Sequence, residues 1–219
     1  MNFKRITILS GHYGSGKTNI AVNLARELRQ QKPRVAIADI DIVNPYFRTK
    51  DSEALLQKED IRLICSPYAN SNVDIPALPQ EMYSVTDDRE LYSIVDVGGD
   101  ERGALALGRL SPKIAEEANY DMLLVVNCYR PLTRTAATTV EVMREIENAC
   151  RLKFSGIINN SNLGRETAPE DVEHSMAYAG ELCRQTGLPL LFTTVARELY
   201  EPLKNKIPHL YPLELQKKL

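Results

Sequence analysis

No stretch of the 219-residue chain approaches the unbroken apolar length that a membrane span requires, and the N-terminal MNFKRITILSG is too short in apolar residues for a signal-peptide core. Both absences lead to the expectation of a soluble, cytoplasmic protein. A broad excess of positive charge is also missing. With 27 Lys and Arg against 29 Asp and Glu, the formal net charge is −2 and the signs are interspersed, so the field that non-specific nucleic-acid binding needs is not there. The four cysteines, Cys65, Cys128, Cys150 and Cys183, form no CxxC and no Cys-His pair. They read as buried free thiols, although a metal cluster bridging two subunits needs only one or two cysteines per chain and stays open. Internal repeats and low-complexity tracts are absent too. A chain of this length and ordinary composition (43% hydrophobic, 26% charged) is expected to fold as a single domain over residues 1–219.

What is present is alternation. Short β-branched runs recur at Lys4–Leu9, Arg34–Asp39, Ile61–Cys65, Tyr92–Val97, Met122–Val126, Phe154–Asn159 and Leu188–Thr193. Between several of them lie helical patterns: residues 18–31 place Ile20, Leu24 and Leu28 on one face, residues 133–151 repeat this logic, and residues 168–187 start with Pro169 and two acids and stop at Gly187. The pattern predicts a doubly wound α/β domain, a mostly parallel sheet of about seven strands with helices on both faces. Residues 69–90 are turn-rich without a clear period and read as a surface connection. The tail from Lys206, with two prolines, reads as a packing or subunit-contact segment rather than a membrane-surface helix.

Directly after the first strand comes Gly11-His12-Tyr13-Gly14-Ser15-Gly16-Lys17-Thr18, which fits the phosphate-loop pattern and opens a helix. Glycines let backbone N–H groups curl around phosphate oxygens, and the helix N-terminus adds partial positive charge. Lys17 would neutralise the β- and γ-phosphates and the Thr18 hydroxyl would ligate Mg²⁺. The second strand ends in Asp39-Ile40-Asp41, placing two carboxylates at the same sheet edge, where they can hold a Mg²⁺-bound water and orient an attacking one; a solvated acidic turn is the alternative. The strand closing at Asp96 runs into Gly98-Gly99, so an acid can bind Mg²⁺ through water and the Gly99 amide can approach the γ-phosphate.

Through these motifs, and the late strand GIINN (156–160), the chain resembles the MinD/ParA branch of P-loop ATPases, whose CobQ/CobB/MinD/ParA nucleotide-binding domain is shared with dethiobiotin synthetase and cobyrinic acid amidases. The resemblance covers most of the chain. It implies that Asp41 positions the hydrolytic water, that Asp39 supports that water and the Mg²⁺, and that Asp96 stands in the second metal shell. It also implies that an asparagine after the sixth strand reads adenine: Asn160 is the better match and Asn159 the second, and either can instead cap a loop. No Asn-Lys-x-Asp pattern of guanine-specific proteins occurs, which favours ATP. One departure stands out. The family's second, signature lysine, four residues before Gly16, is His12 here, so the chain keeps the phosphate cradle and lacks the residue on which family hydrolysis leans. Arg48, Arg102, Arg109 and Arg130 lie near ligand-edge loops and are candidate replacements for that cation, though each alone also reads as a surface arginine.

The leading expectation is therefore an ATPase-type switch, slow or partner-stimulated, that forms a homodimer and acts on a protein partner or metallocofactor cargo. Residues 44–49 (NPYFRT) are a candidate partner surface, with Tyr46 and Phe47 equally suited to core packing. Two alternatives remain open at this level: an ATP-dependent biosynthetic phosphotransferase or ligase with a substrate pocket built by Asn70 to Asp88, and a nucleotide-binding regulatory module that never turns over.

Overall fold

The computed structural model of the chain describes residues 3–41, 53–65 and 78–215. Among the described residues, eight strands form one sheet: β1 (Ile6–Ser10), β2 (Val35–Asp39), β3 (Arg62–Ile64), β4 (Tyr92–Asp96), β5 (Tyr120–Val126), β6 (Gly156–Asn159), β7 (Leu190–Ala196) and β8 (Leu210–Leu213). Their order is β3-β2-β4-β1-β5-β6-β7-β8, and every neighbouring pair is parallel.

A parallel sheet must be covered on both faces, and side chains alternate along each strand to feed two cores. Ile6, Ile8, Ala36, Ala38, Val95, Leu124 and Val126 point into one. Leu9, Ile37, Ile94, Val125 and Ile158 point into the other. Helix α1 (Lys17–Arg29) closes the second core with Ile20, Leu24 and Leu28, and α2 (Glu53–Lys58) adds Leu56. The first core is closed by α3 (Ser84–Asp87), α4 (Glu101–Gly108), α5 (Ser111–Glu117), α6 (Ala136–Cys150) and α7 (Pro169–Thr186), through Val85, Leu107, Ile114, Val140, Met143 and Leu182. A short α8 (Tyr200–Leu203) packs Leu203 with Val172, Val195 and Ile207. Because each crossover returns the chain to the same starting edge, the loops after β1, β2, β4, β5, β6 and β7 all gather at the carboxyl edge.

The sheet has one strand more than the sequence pattern predicts. β8 lies in the tail read as a contact segment, where Pro208 and Pro212 argue against a strand; Pro212 stands opposite Val195 on the sheet's outermost strand, where a missing N–H is tolerated. The connection at residues 69–90 also needs correction over its second half. Gln80–Tyr83 makes a 3₁₀ turn leading into α3, and Met82 and Val85 are core residues rather than surface. Residues 69–77 and the NPYFRT segment with Tyr46, Phe47 and Arg48 lie outside the described residues. Among the described residues, no helix is long and apolar enough to cross a membrane.

Candidate functional site

The loop between β1 and α1 adopts a conformation that its glycines make accessible. Gly11, Gly14 and Gly16 have φ of +144°, +75° and +87°, all in the region L side chains rarely adopt. Space is as restrictive as the dihedrals: a Cβ on Gly11 would collide with the Val125 carbonyl, and one on Gly16 with the Asn160 amide nitrogen. Gly16 starts α1 without any side-chain cap, and the first turn carries no acid. The leading amides of α1 and its positive dipole end are therefore left for an anion.

Lys17, buried at the first turn, folds its Nζ back to donate to the carbonyls of Gly11 (2.9 Å) and His12 (3.2 Å). Burial holds its pKa below the ordinary lysine value, opposed by the nearby carboxylates of Asp96, Asp41 and Asp100. The Thr18 hydroxyl donates to Asp96 Oδ2 at 2.7 Å. Asp96, buried at the end of β4, has its carboxyl pushed up first by burial and then by Asp39 beside it, with Lys17 and the Thr18 bond opposing. Asp39 Oδ1 accepts the Asp41 amide at 2.9 Å, which turns the chain so that Asp41 reaches the cavity wall. Three strand ends thus bring a lysine, a hydroxyl and three carboxylates together. The set fits an oxygen-loving divalent cation shared with a polyphosphate: Thr18, Asp39 and Asp96 would hold it. Among the described residues, no three His, Cys, Asp or Glu side chains are grouped to hold a metal by themselves. Phosphate and water oxygens would have to complete the shell.

Beside the phosphate loop opens a cavity of about 430 Å³ walled by Tyr13, Gly14, Gly16, Lys17, Thr18 and Asp41 at one end, and by Asn160, Asn162, Thr194, Val195, Leu199 and Leu213 at the other. The second end is largely apolar with a few amides, as a flat heteroaromatic base requires. Asn160 lines it: Nδ2 donates to Ser15 O (2.6 Å) and Oδ1 accepts from the Thr194 hydroxyl, which leaves one amide hydrogen free. Asn159 does not line it. That side chain is fully buried, donates to Ser175 Oγ at 2.9 Å and accepts from the backbone and hydroxyl of Ser161, so it caps the loop from within.

Gly99 packs on the backbone of Tyr13 so tightly that a Cβ would collide with it, which puts the β4 loop directly against the phosphate loop. The Ser15 hydroxyl is buried with no hydrogen-bond partner among the described residues. His12 is half-buried outside the cavity wall, and its Nδ1 donates to the Tyr13 carbonyl at 3.0 Å. Of the candidate cations, Arg130 reaches the loop and donates from Nε to Gly14 O at 2.9 Å. Arg109 caps the end of α4 beside Gly108, whose neighbour is the Ala149 carbonyl near the end of α6, and is not part of the cavity wall. Arg102 lies in the first turn of α4, outside the cavity wall. The cysteines show no disulfide, and burial pushes the Cys128, Cys150 and Cys183 thiols up, which favours their protonated form.

Sequence reasoning passes over two residues that shape the site. Asn127, fully buried after β5, accepts the amides of Tyr129 (3.0 Å) and Asn162 (3.3 Å) at Oδ1 and donates to Asn162 O (3.1 Å), thereby fixing the base-side loop. Gly103, in α4, comes so close to Gly98 that a Cβ would lie 2.7 Å from its backbone. The repeated glycine in Gly98-Gly99-…-Gly103 is the signal that would have found the second; the first carries only its place after an apolar strand.

A family model described as the CobQ/CobB/MinD/ParA nucleotide binding domain matches residues 6–189. No curated protein matches the chain. Solved structures with a similar fold include the cell division protein FtsY from Thermotoga maritima, at 16% identity and a TM-score of 0.63 over 91% of this chain and 63% of that one. They also include the chloroplast FtsY of Physcomitrella patens, at 16% identity and 0.61 over 91% and 61%. A third is the signal recognition particle 54 kDa protein of Aeropyrum pernix in complex with GDP, at 16% and 0.55 over 88% and 41%. This chain spans less than two thirds of each of them, and at such identities the likeness is one of fold.

Proposed function

The chain belongs to the CobQ/CobB/MinD/ParA nucleotide-binding domain family, and from that premise we propose that it binds Mg-ATP and uses the bound nucleotide as a switch for a partner protein or a cofactor cargo. The observation that carries this reading is the pairing of Thr18 with Asp96 at 2.7 Å beside the buried Lys17, at an uncapped helix N-terminus. A hydroxyl and a carboxylate so placed are donors that would suit a nucleotide-bound Mg²⁺, which would supply charge neutralisation to the phosphates there. Lys17 would leave the Gly11 and His12 carbonyls for the phosphates, Asp39 would steady the metal's water, and Asp41 would orient the attacking one.

The choice of ATP over GTP rests on the base end of the cavity. Among the described residues that line it the one acid is Asp41, at the phosphate end, so none of them offers a carboxylate to guanine's N1–H and amino group. The amides of Asn160 and Asn162 suit the donor and acceptor edge of adenine. For a switch the useful contact is Gly98, which packs against both Asp41 and Gly103 while Asp100 caps α4 by accepting the Gly103 amide at 3.0 Å. Movement of the β2 loop around a γ-phosphate would thus reach α4. We place the reaction in one cytoplasmic domain that pairs with a second copy when nucleotide is bound. With His12 where the family carries lysine, turnover is slow until a partner assists. The test is steady-state ADP release together with the mass of the particle in solution with and without Mg-ATP. Slow release from a nucleotide-dependent dimer is expected; tight binding with no release, even by a dimer, would reduce the protein to a non-hydrolysing module.

A further inference from the structure

The loop after β5 carries a cation that the phosphate loop itself does not supply. Asn127 makes this loop a fixed turn: its carbonyl accepts the Arg130 amide at 3.1 Å and the Thr133 hydroxyl at 2.8 Å, while its side chain grips Tyr129 and Asn162. The turn sends Arg130 back over Gly14, where Nε bonds the Gly14 carbonyl. A Cβ on Gly14 would lie 3.2 Å from that nitrogen, so the missing side chain makes room for the guanidinium. Only one of the guanidinium's five N–H donors is used in this contact, and among the described residues no carboxylate pairs with it. Yet Arg130 forms part of the cavity wall with Tyr13, Gly14 and Lys17.

Topology fixes which part of a nucleotide it can meet. β5 flanks β1 on the side opposite β4, so Arg130 stands across the phosphate loop from Asp96 and next to the base-side residues Asn160 and Asn162. We propose that Arg130 contacts the α- and β-phosphates of the bound nucleotide, supplying in the same chain a second cation beside Lys17. The inference rests on the nucleotide-binding reading above. A planar fork of N–H donors matches phosphate oxygens in a way that the short imidazole of His12 does not.

The experiment is calorimetric titration of the parent, Arg130→Ala and Arg130→Lys with Mg-ATP and Mg-ADP, alongside ligand-free melting. Losing a charge-assisted contact is expected to weaken binding about tenfold or more. Arg130→Ala should weaken Mg-ATP and Mg-ADP by the same factor, Arg130→Lys should recover part of it, and ligand-free melting should not move. Loss for Mg-ATP alone would place Arg130 at the γ-phosphate and overturn the assignment. Unchanged affinity in Arg130→Ala would overturn it too, as would a ligand-free melting temperature lowered enough to account for the weaker binding. If the parent binds neither nucleotide, the nucleotide-binding reading itself has failed.

Discussion

At Gly16 one added carbon is enough to disturb the site. Its φ of +87° is strained for any other residue, and a Cβ would displace the Asn160 amide that holds the Ser15 carbonyl. Asp41 is a contrasting case: it meets the cavity wall, its amide is held by Asp39, and it belongs to the loop after β2 rather than to the one that would wrap the phosphates. Asp41→Ala should therefore leave Mg-ATP affinity within about threefold while lowering the rate of ADP production by about a hundredfold or more, as loss of a water-orienting group does. Equal ADP production by mutant and parent, in a single-turnover assay, would remove Asp41 from that role. Residues such as Gly11, Gly16, Lys17 and Thr18 are legible in sequence because each residue type is demanded by local geometry or charge at a fixed spacing. Asn127 is not, because its partners Tyr129 and Asn162 lie on two loops that only the folded sheet brings together. Asn159 and Asn160 are adjacent and of one type, but the pleat of β6 and its end send one under α7 and the other to the cavity.

Among the elements, β1 must be rigid if the phosphate loop is to keep its shape, and a buried ion pair pins its start. Arg5 forms a two-pronged pair with Glu117 at the end of α5, and its Nη1 donates to the carbonyls of Val85 (2.9 Å), Asp88 (3.0 Å) and Leu91 (3.0 Å). The Arg5 bond holds the Glu117 carboxyl below the usual glutamate range, against the opposing effect of burial, with Arg89 adding to the depression. A carboxyl depressed in the folded state stabilises fully above its unfolded pKa, about 4.3, and that stability is lost as pH falls through the lower folded value. Glu117→Gln should cost about 3 kcal/mol near neutral pH, because Arg5 is left buried without its charge partner. The variant's stability should also fall less steeply than the parent's between about pH 5 and 3. Urea unfolding across that range measures both, and parallel pH curves for the two proteins would count against the pair. The strands from β1 to β7 are readable from their β-branched runs. β8 is hidden because its pairing comes from outside its own sequence: Asn23 of α1 takes the Glu214 amide at 2.9 Å and donates to its carbonyl at 3.0 Å, fastening a proline-bearing edge strand to the phosphate-loop helix. The short α3 is masked likewise by turn residues, although Val85 packs in the core.

For the whole molecule, one parallel sheet collects six loops at one edge, and on the proposed reading phosphate, metal and base would be met by side chains from several strand ends. On the proposed reading that arrangement, rather than any single motif, would make the loop after β1 a nucleotide site, and Lys17 is its most direct test. Among the described residues its side chain donates only to the Gly11 and His12 carbonyls, so Lys17→Ala should fold normally. The deciding measurement is calorimetric titration of the parent and Lys17→Ala with Mg-ATP and Mg-GTP. The account predicts saturable one-site binding of Mg-ATP by the parent, weaker binding of Mg-GTP, and no measurable heat from a folded Lys17→Ala. Equal Mg-ATP affinity in the two proteins, or none in the parent, would contradict it.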